Sequence, residues 1–351
     1  MPATLRDIAD EVGTSITTVS KVLNGKEIRV SEIKRQEILD AAERLKYLPN
    51  ISGVNLRKGC TDLVAVIVGD LLYPYYAKLL KELSCLISAR GKSVIVCDID
   101  NDEEAEFKHY QRLKSGYVDG AIIVPPPFNR SVKNIQRSTA ILDGIDLPVI
   151  TLFGDGGVLY PDYSTVGTNS LKCGYMATKH LIDLGHRRIA YLSESRGDGS
   201  INPRMEGYAM ALEKAGIPYR PELVATGYTR YAGGRAAYRA LAEQKMTAVV
   251  CSSDMLAIGF SNEAIAAGCQ IPGDCSVIGM DNIMATEYNV PQITTVSQNV
   301  GELARLAVRE LFKALEERRQ GRKPEICHIQ IEPELVVRSS TAPPVGQGAR
   351  L

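Results

Sequence analysis

The stretch SITTVSKVLN, residues 15–24, gathers short polar side chains of the kind that touch nucleic acid. Ile16, Val19, Val22 and Leu23 recur at three- and four-residue spacing, which predicts an amphipathic helix. Around them stand Ser15, Thr17, Thr18, Ser20, Lys21 and Asn24 rather than the long Glu and Lys residues that favour exposed helices. Short hydroxyls and amides stabilise a helix poorly but reach phosphates and base edges well. Taken alone, the stretch has two readings: the second helix of an ordinary small bundle, or a helix whose outer face reads DNA.

Catalytic chemistry finds no comparable cluster. GDGGV fits neither the GxGxxG nor the phosphate-loop pattern, and no GxSxG elbow occurs. His180 and His186 flank LIDLG, where a histidine near a helix end serves as a cap or packing group. The eight cysteines form no CxxC pair and stand at no zinc-ligand spacing with histidine. Buried free thiols are expected, as VIVCDID and AVVCSSD illustrate. The sequence therefore predicts no enzyme, no cofactor and no metal site.

The elements that would carry the polar stretch separate by texture. Residues 1–47 read as three helices without a strand. The first is TLRDIADEVG, with Thr4 as N-cap and Asp7 completing a capping-box variant. The second is SITTVSKVLN, closed by a left-handed cap at Asn24-Gly25. The third is SEIKRQEILDAAERLKYL, with Ile33, Ile38, Leu39, Ala42 and Leu45 on one face. PNISGVNLRKG follows as a linker. From Asp62 onward, short β-rich runs (LVAVIVGD, SVIVCDID, GAIIVPPP, PVITLFG, RRIAYLSE, ELVATGY, TAVVCSSD, CSVIGMD) alternate with helical stretches. Such alternation predicts right-handed βαβ units and buried parallel sheets. Two sets of strands join near GDGGVLYPDYSTV, and ligands are expected at the strand ends facing the cleft between them. A last helix, GELARLAVRELFKALEERRQG, and one strand, CHIQIEPELVV, precede a tail expected to be disordered.

The bulk properties constrain the partners. At 351 residues the chain holds two or three domains, with 45% hydrophobic and 23% charged residues. The net charge is zero, with residues 1–60 at +2, so composition by itself neither points to nucleic acid nor forbids it. No signal segment and no apolar run of membrane-spanning length is seen, so a cytoplasmic protein with no membrane partner is expected.

Taken in order, TLRDIADEVGTSITTVSKVLNG, RLKYLPN, LGHRRIAYL, RMEGYAMAL and SVIGMDN resemble the LacI/GalR family of bacterial transcriptional repressors over nearly the whole chain. The resemblance implies an α/β fold. An N-terminal all-α helix-turn-helix headpiece (1–48) and a hinge helix (49–60) would precede a periplasmic-binding-protein-like core of two doubly wound parallel-sheet subdomains (61–340). Within the core, an N-subdomain would take about 61–165 and 299–325, and a C-subdomain 166–298 and 326–340, leaving 341–351 as tail. It further implies a repressor acting as a homodimer on double-stranded operator DNA under control of a small-molecule effector. Ile16, Thr17 and Lys21 would then read bases, Lys21 by donating to guanine, while Thr4, Ser15, Ser20 and Asn24 would contact phosphates. With the family motifs in order, the DNA-reading interpretation of SITTVSKVLN is the one retained.

The hinge departs from the family, with ISGVNLR at 51–57. Leu56 aligns with the family's wedge residue, which enters the minor groove and kinks the duplex. Gly53 has two readings: a cost of about 1 kcal/mol to each hinge helix, or a closer approach of the paired helices. In the cleft, the resemblance marks Tyr75 and Tyr76 as aromatic walls, although a helix start is also an ordinary place for core tyrosines. Arg204, Asp281 and Gln298 match polar effector contacts, and Asp254 matches an acid that either binds effector or only caps its helix. Phe153 and Ser253 stand where sugar-binding relatives place Asp and Asn, which predicts a less polar pocket. A sugar, a glycoside or a nonsugar metabolite therefore remains open as effector.

Overall fold

The computed structural model describes residues 3–47, 59–125, 132–154, 157, 159–194 and 202–345. It divides into two compact units, Met1–Thr61 and Asp62–Leu351. The expectations for Gly53 and Leu56 lie outside the described residues.

In the first unit, α1 (Leu5–Val12), α2 (Ile16–Leu23) and α3 (Glu32–Arg44) each begin at a hydroxyl cap. Thr4 and Asp7 form the expected capping box: the Thr4 N–H donates to Asp7 Oδ2 at 2.7 Å, and the Asp7 N–H returns to Thr4 Oγ1 at 3.4 Å. Gly13 closes α1 with φ +66°, a left-handed turn that a β-carbon would strain. Ile8, Ala9, Val19, Val22, Ile38, Ala41 and Ala42 fill the core, with Val12 and Leu23 against it. Ile33 and Leu39, expected on the inner face of α3, instead point outward, at 75% and 40% exposure. Ala41 takes the inner position, because α3 presents its Ile38–Ala41–Ala42 stripe to its two neighbours.

The second unit contains two six-stranded sheets. In the first, β1 (Leu63–Val68), β2 (Ser93–Asp98), β3 (Gly120–Ile123), β4 (Val149–Thr151), β5 (Ser164–Thr168) and β11 (His328–Ile331) are all parallel, in the order β11-β5-β4-β3-β1-β2. In the second, β6 (Ile189–Leu192), β7 (Val224–Ala225), β8 (Ala248–Cys251), β9 (Ser276–Met280) and β10 (Thr294–Ser297) are parallel, and β12 (Glu334–Val336) runs antiparallel at the edge. Alternate residues of each central strand serve opposite layers. Val64 and Val66 meet Leu79, Leu83 and Leu311, whereas Ala65 and Ile67 meet Phe107 and Tyr110. Burial on both faces explains the continuous apolar runs in these strands.

Three boundaries move. The stretch expected as an irregular join ends in a strand, since Ser164–Thr168 pairs with both β4 and β11. The single final strand is two: 328–331 completes the first sheet, so the assignment of 326–340 to the C-subdomain holds only from β12 onward. The reason is local. Parallel pairing of His328–Ile331 with Thr165–Thr168 satisfies the open edge of β5, and Glu332-Pro333 then carries the chain to the second sheet. Finally, the tail expected to be disordered over 341–351 is held at its start, at Thr341 and Ala342, while 346–351 lie outside the described residues. Thr341 Oγ1 lies 3.0 Å from His180 Nε2, and the Ala342 carbonyl lies 2.9 Å from His186 Nε2.

The chain thus passes between the lobes at 169, 298–299 and 332–333. Two of these crossovers are stitched together, the Thr168 hydroxyl donating to the Gln298 carbonyl at 2.6 Å. No disulfide links the eight cysteines; Cys97, Cys173, Cys251 and Cys275 are buried as expected. Cys85 is exposed and the other three are partly so.

Candidate functional site

Two groups of residues carry chemistry, one in each unit. On α2, the buried Val19 and Val22 leave Ile16, Thr17 and Lys21 on the exposed face, with Ile16 42% exposed. Ser15 caps the helix, its Oγ accepting the Thr18 N–H at 3.1 Å, and Asn24 Nδ2 donates to the Ser20 carbonyl at 2.6 Å. Thr4, Ser15 and Asn24 are exposed while serving as caps; Ser20 is half-buried.

In the second unit, a cavity of about 200 Å³ opens between the lobes. Two further helices frame it: α4 (Pro74–Ser88) after β1, and α8 (Pro203–Lys214) after β6. Pro74 at the first turn of α4 sets Tyr73, Tyr75 and Tyr76 at its mouth. The Tyr75 and Tyr76 rings meet edge to face at 5.5 Å, and Phe153 meets Tyr160 likewise at 6.1 Å. Burial raises the hydroxyl pKa of all three tyrosines, which stay protonated donors.

Opposite the rings lies a buried polar chain. Arg204 Nη2 donates to Asp281 Oδ1 at 3.2 Å, Gln298 Nε2 donates to the same oxygen at 2.5 Å, and Arg204 Nη1 is bound to the Ser252 carbonyl. Burial raises the Asp281 carboxyl while Arg204 pulls it back down. The Tyr75 hydroxyl reaches Gln298 Oε1 at 3.4 Å, linking the first lobe to the crossover.

Tyr75, Tyr76, Phe153, Arg204, Asp281 and Gln298 therefore line one cavity, as expected. Ser253 and Asp254 do not. Ser253 caps the helix α10 (Asp254–Ala266) and donates to Glu194 Oε1 at 2.9 Å. Asp254 is fully buried, accepting the Thr295 hydroxyl at 2.6 Å and the Ile283 N–H at 2.9 Å. Burial raises its carboxyl well above the ordinary value. Both side chains are turned away because they knit the second sheet's strand ends together.

Sequence reasoning missed Asp70, Tyr73, Glu194 and Arg230, which also line the cavity. Their one sequence signal is position, since Asp70 and Glu194 each stand two residues beyond a parallel strand. Burial pushes the Glu194 carboxyl up to about 7, moderated by hydrogen bonds from Ser253 and the Arg230 N–H. The pocket is thus aromatic on one wall, with Phe153 in its lining, and Glu194 adds a carboxylate to it.

A helix-turn-helix unit followed by a two-lobed α/β core with a cavity between its lobes defines a ligand-responsive DNA-binding regulator. Residues 4–50 match the bacterial regulatory proteins, lacI family, and residues 178–341 match the periplasmic binding protein-like domain. The HTH-type transcriptional repressor PurR of Mannheimia succiniciproducens is 31% identical over 96% of this chain and 98% of its own length. A solved cellobiose complex of the transcriptional regulator CelR is 27% identical, with a TM-score of 0.70, covering 96% of this chain and 99% of that one. The lac repressor dimer bound to operator and the anti-inducer ONPF shares the fold at 23% identity and a TM-score of 0.82, over 97% of this chain and 100% of that one. The chain belongs to the LacI family, whose members are transcriptional regulators and not enzymes. It is a transcriptional repressor with a DNA-binding domain and an effector-binding domain. No described helix is long and apolar enough to cross a membrane.

Proposed function

We propose that the chain is a cytoplasmic repressor that binds a pseudo-palindromic operator as a homodimer and is controlled by a sugar, glycoside or related metabolite in the cleft. The observation that carries this reading is the pairing, in one chain, of an exposed α2 face bearing Ile16, Thr17 and Lys21 with a cavity held between two lobes. Lys21 donates to a guanine edge, Thr17 and Ile16 meet a thymine methyl or neighbouring base, and Thr4, Ser15, Ser20 and Asn24 hold phosphates. Residues 1–48 act as headpiece and 49–60 as hinge, with Leu56 as the minor-groove wedge. A twofold protein matches a twofold operator. Leu72, Met284, Tyr288 and Val290, each at least 66% exposed, give the second unit apolar surface suited to pairing.

Effector in the cleft shifts the angle between the lobes, and so the population of the DNA-binding state. The aromatic wall and the Arg204–Asp281–Gln298 chain support a hydroxyl-rich ligand, as does the cellobiose of CelR. The experiment is selection from a random duplex pool, followed by anisotropy of labelled DNA against salt. An enriched inverted repeat bound far above random DNA, with affinity falling steeply as salt rises, supports the repressor reading. If neither the protein alone nor the protein with metabolite pools enriches any sequence, the reading is wrong.

A further inference from the structure

The charges around the cavity are unequally matched. Of the two arginines among its described lining residues, Arg204 is bound to Asp281 and Arg230 to Asp70. Among the described residues, no cation is ion-paired with Glu194. It is 3% exposed, and both of its protein hydrogen bonds fall on one oxygen: Oε1 accepts the Ser253 hydroxyl at 2.9 Å and the Arg230 N–H at 3.3 Å. The second oxygen, Oε2, receives neither donor. Close by, Tyr73 is 8% exposed, and its hydroxyl is buried without a hydrogen-bond partner. A buried hydroxyl without a hydrogen-bond partner is costly unless something else satisfies it, and beside it the Glu194 Oε2, which takes neither of those donors, offers an acceptor in the same cavity wall.

We propose, building on the effector reading above, that Glu194 is the residue that sets the charge class of the effector: it takes a hydrogen-bond donor from an uncharged or amine-bearing polyhydroxylated ligand and rejects phosphorylated or carboxylated ones. A ligand hydroxyl or ammonium donates to Oε2, while a second ligand group satisfies Tyr73. An anionic ligand meets the opposite situation. Its charge faces a carboxylate in a site shielded from water, and both arginines are already neutralised.

The test is a matched panel against the purified full-length protein, read by thermal denaturation and then by titration calorimetry. Cellobiose, methyl glucoside and glucosamine represent the favoured class, and glucose 6-phosphate and glucuronate the rejected one. The expected result is stabilisation by one or more of the first three and none by the last two. The Glu194→Gln variant, whose amide oxygen still accepts from Ser253 and Arg230, is expected to bind the stabilising compound at least tenfold more weakly. Stabilisation of the unsubstituted protein by either anion overturns the proposal without recourse to a variant. Unchanged affinity in Glu194→Gln also overturns it. A panel in which nothing binds overturns it as well, and selective operator binding by the same preparation shows that the repressor reading survives that failure.

Discussion

Asp70 of the first lobe and Arg230 of the second form an ion pair across the cleft, joining residues 160 positions apart in sequence. Asp70 is 2% exposed and also accepts the Leu72 N–H at 2.9 Å, so its carboxylate is fixed in place. Arg230 has a left-handed backbone, φ +56°, and its own N–H turns back to Glu194. One residue therefore touches both the opposite lobe and the cavity-lining Glu194 carboxylate.

Arg230→Ala leaves a buried carboxylate without its cation. Because the arginine side chain is half exposed, the expected loss is about 1–2 kcal/mol rather than that of a fully buried pair. Urea unfolding measures it. Small-angle scattering should show a larger radius of gyration for the ligand-free variant, and an unchanged radius would mean that the pair does not hold the lobes together.

Glu194 should make the ligand-free protein less stable as pH rises. Its folded carboxyl sits near 7 against an ordinary value of 4.5, so the folded state holds its proton longer than the unfolded chain. The penalty is absent below about 4.5, grows between there and 7, and reaches roughly 3 kcal/mol above it. Glu194→Gln should flatten that segment of the stability profile between pH 5 and 8, as read by urea unfolding. A variant that loses stability at pH 8 relative to pH 5 as steeply as the parent would place the titration elsewhere.

Asp254 holds the Ile283 N–H and the Thr295 hydroxyl in the interior. Truncation to Ala strands both donors, so Asp254→Ala is expected to cost about 2–4 kcal/mol. At a concentration of folded protein matched to the parent, effector affinity should change little. A tenfold weaker affinity with intact stability would return Asp254 to the binding site.

Lys21→Ala should relax preference at one base pair of each half-site by roughly 1–3 kcal/mol while leaving most of the salt dependence intact. Competition between the selected operator and single-base variants reads this directly. Uniform weakening on every duplex would instead make Lys21 a phosphate contact.

What could be read from the sequence alone depends on range. The headpiece is governed by contacts a few residues apart: Thr4 caps with Asp7, Ser15 caps Thr18, and Val19 and Val22 share the inner stripe. Such features are visible as spacing. Even here Ile33 and Leu39 misled, because an apolar side chain on a helix does not say whether a neighbour is there to cover it. The parallel strands were legible as apolar runs, but Ser164–Thr168 was not, since STVGT is buried by its pairing partners and not by conspicuous hydrophobicity.

By itself, then, the sequence determined the capped helices of the headpiece and the alternation of strands and helices after it, and the family resemblance it carries marked six residues of the cleft: Tyr75, Tyr76, Phe153, Arg204, Asp281 and Gln298. Only the tertiary structure decided that Ser253 and Asp254 turn inward, that 328–331 and 334–336 belong to different sheets, and that Asp70, Glu194 and Arg230 meet at one cavity. The reason is geometric. A cleft in a two-lobed parallel-sheet fold is built from strand ends far apart in the chain, and which polar side chain faces the cavity is settled by hydrogen bonds to partners that no local pattern reveals.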